Sequence, residues 1–229
     1  MAISLTSRPE RFFFVKLFQM MGFETEENLL NQGLVYLAGL DEVGRGCLFG
    51  PVVAASVIFP AAFFLGKKAS WTREVTDSKL LTPTKRVELA RRIMSEAFCI
   101  GIGSATHLEI DQINIYWATQ LAMKRALADL GHQPDMVLVD GYPLKGINYP
   151  QVAVPQGDRK VFSIAAASIV AKVFRDQLLQ VLDRLYPGYG LSENKGYATE
   201  GHYLALEKLG PSPLHRRSFK LFKDRMLIR

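Results

Sequence analysis

The stretch Leu37-Ala-Gly-Leu-Asp41-Glu42-Val-Gly44-Arg45-Gly46 decides how this chain reads. An apolar run suited to a buried strand leads straight into two adjacent carboxylates, and then into an arginine bracketed by glycines. Two anions packed at a strand end cost energy unless a cation compensates. Arg45 is one candidate for that cation, and a metal ion is another. The glycines beside Arg45 let the backbone come close to something outside the chain. Carboxylates, an approachable backbone and a cation together suit the cutting of a phosphodiester.

Outward from this stretch, residues 35–40 and 52–59 are apolar and partly β-branched, and they read as buried strands joined by a hairpin-like connection over 44–51. Residues 61–81 read as irregular. Thr82 is an N-cap with Pro83 at N1, which starts a helix running to about Ala97. Residues 98–105 alternate as a strand, and 108–130 form a long helix ended by Gly131 and Pro134. Two short strands follow at 136–139 and 152–155, then helices at 164–186 and 199–209. Before the first strand, residues 8–23 have helical periodicity and 24–32 read as a polar connector. Three strands followed by strands alternating with helices predict an α/β domain, with a mixed five-stranded sheet flanked by helices and a helical C-terminal part. The expected division is an N-terminal helical extension over 1–33 and one domain over 34–229.

At 229 residues and 48% hydrophobic content the chain suits one well-cored domain. No apolar run reaches the length of a membrane span. Phe12-Phe13-Phe14-Val15 is too short for a signal sequence, Lys16 interrupts it, and no small-residue cleavage site follows. The reading is a cytoplasmic protein with no membrane association. Cys47 and Cys99 are too few for a disulfide framework or a zinc site. Of the net charge of +6, the segment from Leu214 onward supplies +5, through Arg216, Arg217, Lys220, Lys223, Arg225 and Arg229 against Asp224. That stretch reads as a phosphate-contacting surface, with a solvated helix face as the plainer alternative.

Four acids, Asp41, Glu42, Asp140 and Asp158, fall at or just after expected strand ends. If the strands are neighbours, these ends meet at one edge of the sheet, where open α/β sheets place their ligands. Hard divalent cations take carboxylate oxygens, and two of them can activate a water and stabilise the leaving oxygen of a phosphodiester. Neighbours on a regular strand face opposite ways, so Asp41 and Glu42 share a site only if the strand ends or twists there. Taken singly, each acid is more simply a surface residue at a strand terminus.

At these residues the chain resembles the type 2 ribonucleases H, specifically bacterial ribonuclease HII. The resemblance runs from Gly39-Leu-Asp41-Glu42-Val-Gly44-Arg45-Gly46 through Gly50-Pro51-Val-Val-Ala-Ala, Asp77-Ser78-Lys79-Leu80 and Val139-Asp140-Gly141. It continues in Ala166-Ala-Ser168-Ile-Val-Ala-Lys172, Asn194-Lys195-Gly196-Tyr197-Ala-Thr199 and His215-Arg216-Arg217-Ser218-Phe219. It covers roughly residues 35–220, and the ordered set of blocks is far more specific than any one of them.

The resemblance implies a ribonuclease H-like fold. It also implies a monomeric endonuclease that cuts RNA in RNA–DNA hybrids and nicks ribonucleotide-containing duplex DNA. Cutting 5′ of a single embedded ribonucleotide would leave a 3′-hydroxyl and a 5′-phosphate and support ribonucleotide removal in DNA repair. The cofactor implied is Mn2+ or Mg2+, as two divalent ions. Asp41, Glu42 and Asp140 match the family's metal-binding acids, and Asp158 matches the fourth, although Gln156 stands where the family usually has lysine. Asp176 is a competing fourth acid that reads more simply as a helix-surface residue. Gly44, Arg45 and Gly46 match the segment that meets the 2′-hydroxyl, and Tyr197 matches a tyrosine that packs against the next sugar. Ser78, Lys79 and Lys172 are phosphate-contact candidates. His202 and His215 carry no catalytic assignment, and Cys47 reads as a packing residue. Two alternatives remain at this point: a ribonuclease HIII-type enzyme, and a non-catalytic basic nucleic-acid-binding protein.

Overall fold

A computed structural model describes residues 22–222. The helix expected over 8–23 and the basic residues from 223 onward therefore fall almost wholly outside the described part. Among the described residues the elements run as α1 (Glu24–Asn31), β1 (Leu37–Val43), β2 (Val52–Ile58), α2 (Ala61–Leu65), α3 (Pro83–Glu96), β3 (Cys99–Ala105), α4 (His107–Asp129), β4 (Met136–Asp140), β5 (Gln151–Val154), α5 (Phe162–Leu185), α6 (Leu191–Asn194) and α7 (Glu200–Leu209). The five strands form one sheet in the order β3-β2-β1-β4-β5. β1, β2 and β3 pair antiparallel as a meander, and β4 and β5 add parallel to β1. Parallel addition needs a crossover, which α4 supplies between β3 and β4.

Alternation along β1 splits the core in two. Leu37 faces a cluster built with α5, α3 and α1, whereas Ala38 and Leu40 face a cluster built with α4. α5 lies directly on the sheet because Gly39 has no side chain; a Cβ there would come within 2.1 Å of the Ser163 carbonyl carbon. A third, smaller cluster, including Phe49, Leu179, Leu191 and Leu206, holds the C-terminal helices against the loop after β1. No helix of the described residues is long and apolar enough to cross a membrane.

The expected cap of α3 holds. Thr82 caps α3 by accepting from the Lys85 amide, with Pro83 at the first position. At the start of α4 the structure adds a reciprocal capping box, between Thr106 and Glu109, that was not among the expectations. Other expectations need correction. Residues 24–31 are a helix and no connector, because Leu29 and Leu30 bury against the core and Glu26 reaches across to accept from the Ser163 amide at 2.8 Å. Residues 61–81 contain α2 and a short 3-10 turn over Ser70–Glu74. The long helix α4 is broken at Asn114, which adopts φ 64° and ψ 167°. Its side-chain oxygen then accepts from the Tyr116 and Trp117 amides, so the second half is capped afresh. From 211 to 222 the chain forms turns and no helix.

Candidate active site

The parallel pairing of β1 with β4 sets Leu40 opposite Val139, so Asp41 and Asp140 emerge side by side at the C-terminal edge. Asp140 in turn lies opposite Val154 at the end of β5. Four residues further on, Asp158 sits in the tight turn Gly157–Arg159, whose first amide donates to Asp140 Oδ1 at 2.6 Å. All four sequence-selected acids therefore gather at one sheet edge, drawn from three separate stretches of chain.

β1 does not end at its acids. Glu42 still pairs with Ala54 and Val43 with Val53. The two neighbours consequently face opposite sides of the edge, as strand geometry requires. Asp41 lies on the α5 side, within reach of the Ser168 hydroxyl, and its own Oδ1 accepts from the Glu42 amide at 2.7 Å. Glu42 lies on the α4 side and lines a hollow with Thr119, Gln120 and Asp140. Asp140 is the acid that bridges the two sides.

Burial, with the charge of neighbouring acids, raises the proton affinity of Asp41, Glu42 and Asp158. Burial pushes the Asp41 carboxyl well above its ordinary value, and the charges of Glu42 and Asp140 add to the effect. Burial also raises Glu42; the Arg45 guanidinium, donating to Oε1 at 3.1 Å, opposes it. Asp158 is raised by burial, then by Asp140 and Asp77, with Lys79 and Arg159 acting the other way. The site thus holds more negative charge than its own cations offset. Its donors are carboxylate oxygens, the ligand type that Mg2+ and Mn2+ prefer. Among the described residues no three His, Cys, Asp or Glu side chains already converge in ligand geometry. The acids are neighbours along an edge that a divalent ion would draw together, and their chemistry fits such an ion.

Beside the acids, the loop from Gly44 to Pro51 presents Arg45 and Gly46 at the surface. Gly44 takes φ +91°, and a Cβ there would lie 2.3 Å from Arg175 Nε. Tyr197 is about one-third exposed. Its turn is pinned to this loop by a bridge to Cys47, which is buried and passes its thiol to the Lys195 carbonyl. Lys79 is exposed, and its charge acts on Asp158. Ser78 is buried and shares a hydrogen bond with Ser168 at 3.0 Å, so it stands behind the surface. Lys172 lies 5.9 Å from the Tyr197 ring centre, but its ammonium is held by Asp176 at 2.7 Å. Asp176 is no surface acid: it is largely buried and also pairs with Arg86.

The basic C-terminal stretch departs most from expectation. Arg216 is fully buried, and it donates to the main-chain carbonyls of Gly44, Arg45 and Gly50. Arg175 is equally buried and serves the same loop. Sequence reasoning missed Arg175, although it shares an inward stripe with Ser168, Ala171 and Leu179 on α5. His202 and His215 are buried and bonded to each other at 3.1 Å, in keeping with a structural role.

A model of the family described as ribonuclease HII matches residues 38–222. A ribonuclease HII from Synechococcus sp. (strain JA-3-3Ab) is 53% identical over 199 residues, which is 87% of this chain and 88% of that one. One from Listeria monocytogenes is 48% identical over 213 residues, covering 93% of this chain and 78% of its own. Among solved structures, ribonuclease H2 from Pyrococcus horikoshii OT3 superposes with a TM-score of 0.66 at 26% identity, over 81% of this chain and 94% of that chain.

Proposed function

The chain belongs to the ribonuclease HII family of endoribonucleases, which hydrolyse the RNA strand of RNA–DNA hybrids, and from that premise we propose that it nicks duplex DNA 5′ of a single embedded ribonucleotide. The products are a 3′-hydroxyl and a 5′-phosphate, and the activity serves ribonucleotide removal from DNA. The observation that carries this reading is the gathering of Asp41, Glu42, Asp140 and Asp158 at one sheet edge, beside the Gly44-Arg45-Gly46 loop with its exposed Arg45 and Gly46.

Asp41, Glu42, Asp140 and Asp158 hold divalent Mn2+ or Mg2+. Two such ions, when bound, supply an activated water and stabilisation of the leaving oxygen. The chain's own groups select and place the substrate. The Arg45 and Gly46 amides have no protein acceptor among the described hydrogen bonds, so they are available to the 2′-hydroxyl, the group that marks RNA at a given sugar. Tyr197 offers a flat face to the adjoining deoxyribose. Lys79 holds a phosphate, and Arg45, half exposed, can swing between Glu42 and a phosphate. Ser78 acts from behind by fixing Ser168.

The test is cleavage of a labelled DNA duplex containing one ribonucleotide, run with Mn2+, with Mg2+ and with EDTA. A metal-dependent nick on the 5′ side of the ribonucleotide is expected. Cleavage that persists in EDTA, or that requires a run of ribonucleotides, overturns the reading.

A further inference from the structure

Two arginines that this scheme does not use lie wholly inside the protein. Arg175 and Arg216 are both 0% exposed. Among the described residues neither has a carboxylate within ion-pairing distance. Burying a guanidinium without a counter-charge is costly unless its donors are well used. Here every bond goes to a main-chain carbonyl. Arg216 donates from Nη2 to Gly44 at 2.7 Å, from Nη1 to Arg45 at 2.8 Å and from Nε to Gly50 at 2.9 Å. Arg175 donates to Phe49 at 3.0 Å, to Pro51 at 3.1 Å and to Lys195 at 2.8 Å.

The acceptors of Arg216 are chemically specific. The Gly44 carbonyl and the Arg45 amide belong to one peptide group, and the Arg45 carbonyl and the Gly46 amide belong to the next. Both carbonyls are bonded to Arg216, and neither amide has a protein acceptor. A cation bonded to a carbonyl oxygen draws electron density through the amide and strengthens the N–H on the far side as a donor. The same fork fixes the direction in which both amides point. Arg175 adds the link to the second reading element, since its Lys195 acceptor belongs to the turn that carries Tyr197.

We propose that Arg216 is a positioning residue for ribose recognition, aiming and polarising through two peptide groups the Arg45 and Gly46 amides that meet the 2′-hydroxyl. The inference rests on the function proposed above. Lysine keeps the charge but offers a compact head in place of a planar fork, so Arg216→Lys cannot serve all three carbonyls in the same geometry. The measurement is discrimination: the inhibition constant of an all-DNA duplex as competitor, divided by the KM for the same duplex with one ribonucleotide. A loss of about threefold to tenfold in this ratio is expected, the worth of roughly one hydrogen bond. A residue that only stabilises the fold would lower the active fraction and the apparent kcat, and leave the ratio unchanged.

Phe219→Leu removes the ring that lies 5.1 Å from the Arg216 guanidinium and loosens the fork without removing the charge. It carries the same test, with a smaller loss of ratio, should Arg216→Lys not fold. A wild-type enzyme without discrimination overturns the proposed function and this inference together. A discriminating wild type whose ratio is undiminished in the folded variants overturns this inference alone.

Discussion

Replacing Glu26 with glutamine should make the protein more stable, and increasingly so as pH rises. Glu26 of α1 is fully buried, and its Oε1 accepts from the Ser163 amide at the start of α5. Its Oε2 and the Ser163 hydroxyl are both buried without a well-formed hydrogen bond. Burial raises the carboxyl from 4.5 to about 7, against the opposing pull of the Ser163 bonds; Glu27 adds a small further push. A carboxyl raised in the folded state favours the folded protein when protonated. Its contribution is complete below 4.5, the unfolded value, and is lost as pH climbs through about 7. The full loss is ~3 kcal/mol at ~1.36 kcal/mol per pH unit.

Glutamine keeps an acceptor for the Ser163 amide, cannot ionise, and can donate to the poorly bonded Ser163 hydroxyl. Urea unfolding of both proteins at pH 5 and pH 8 isolates the effect, because other titrating groups cancel in the difference. The stability gained by Glu26→Gln should grow by ~2.5 kcal/mol between the two pH values. An unchanged difference, or a variant that is less stable at pH 8, would refute the reasoning that burial dominates this site.

Asp41→Asn and Asp140→Asn should each reduce cleavage of a single-ribonucleotide duplex at least ~100-fold, the scale of losing a preorganised electrostatic group. Thermal melting of Asp41→Asn should be unchanged or higher, since it removes a charge that burial, and then repulsion from Glu42 and Asp140, disfavours in the folded state. A wild-type cleavage rate in Asp41→Asn contradicts its proposed role as a metal ligand. Gly44→Ala should lose ~3 kcal/mol or more of stability in denaturant titration. An alanine at φ +91° is strained by ~1–2 kcal/mol, and its Cβ displaces a guanidinium whose charge-assisted bonds are worth ~1.5–3 kcal/mol each. A loss below 1 kcal/mol, on the order of an ordinary surface change, would mean the loop shifts freely.

The sequence was most legible where a local rule decides the outcome. Thr82-Pro83 announces a helix start through a hydrogen bond made within a few residues, and that bond is made. The end of β4 could be read from the passage of an apolar run into Asp140; β1 runs on past Asp41 to Val43, and its parallel pairing with β4 brings the two acids together. Legibility failed where a distant partner decides. Residues 24–31 look polar because Glu24, Glu26 and Glu27 outnumber their apolar neighbours; only the remote Ser163 amide explains why Glu26 turns inward. Asn114 looks like an ordinary helix residue, and the break appears only with its own backbone angles. Arg216 stands in a run of basic residues whose charge suggests solvent, while its three carbonyl partners lie more than 160 positions earlier.

That remoteness has a consequence for how the enzyme comes into being. A growing polypeptide exposes its N-terminal half first, while a domain folds as a unit. The meander β1–β3 is complete by residue 105, yet the loop beside its acids stays unbraced until Arg175 and then Arg216 arrive. The strand that presents Asp41 and Glu42 therefore precedes in the chain, by more than a hundred positions, the side chains that hold the adjoining loop in place. The substrate-facing loop beside the first strand thus takes its final shape only when a segment more than 160 positions downstream has docked against it.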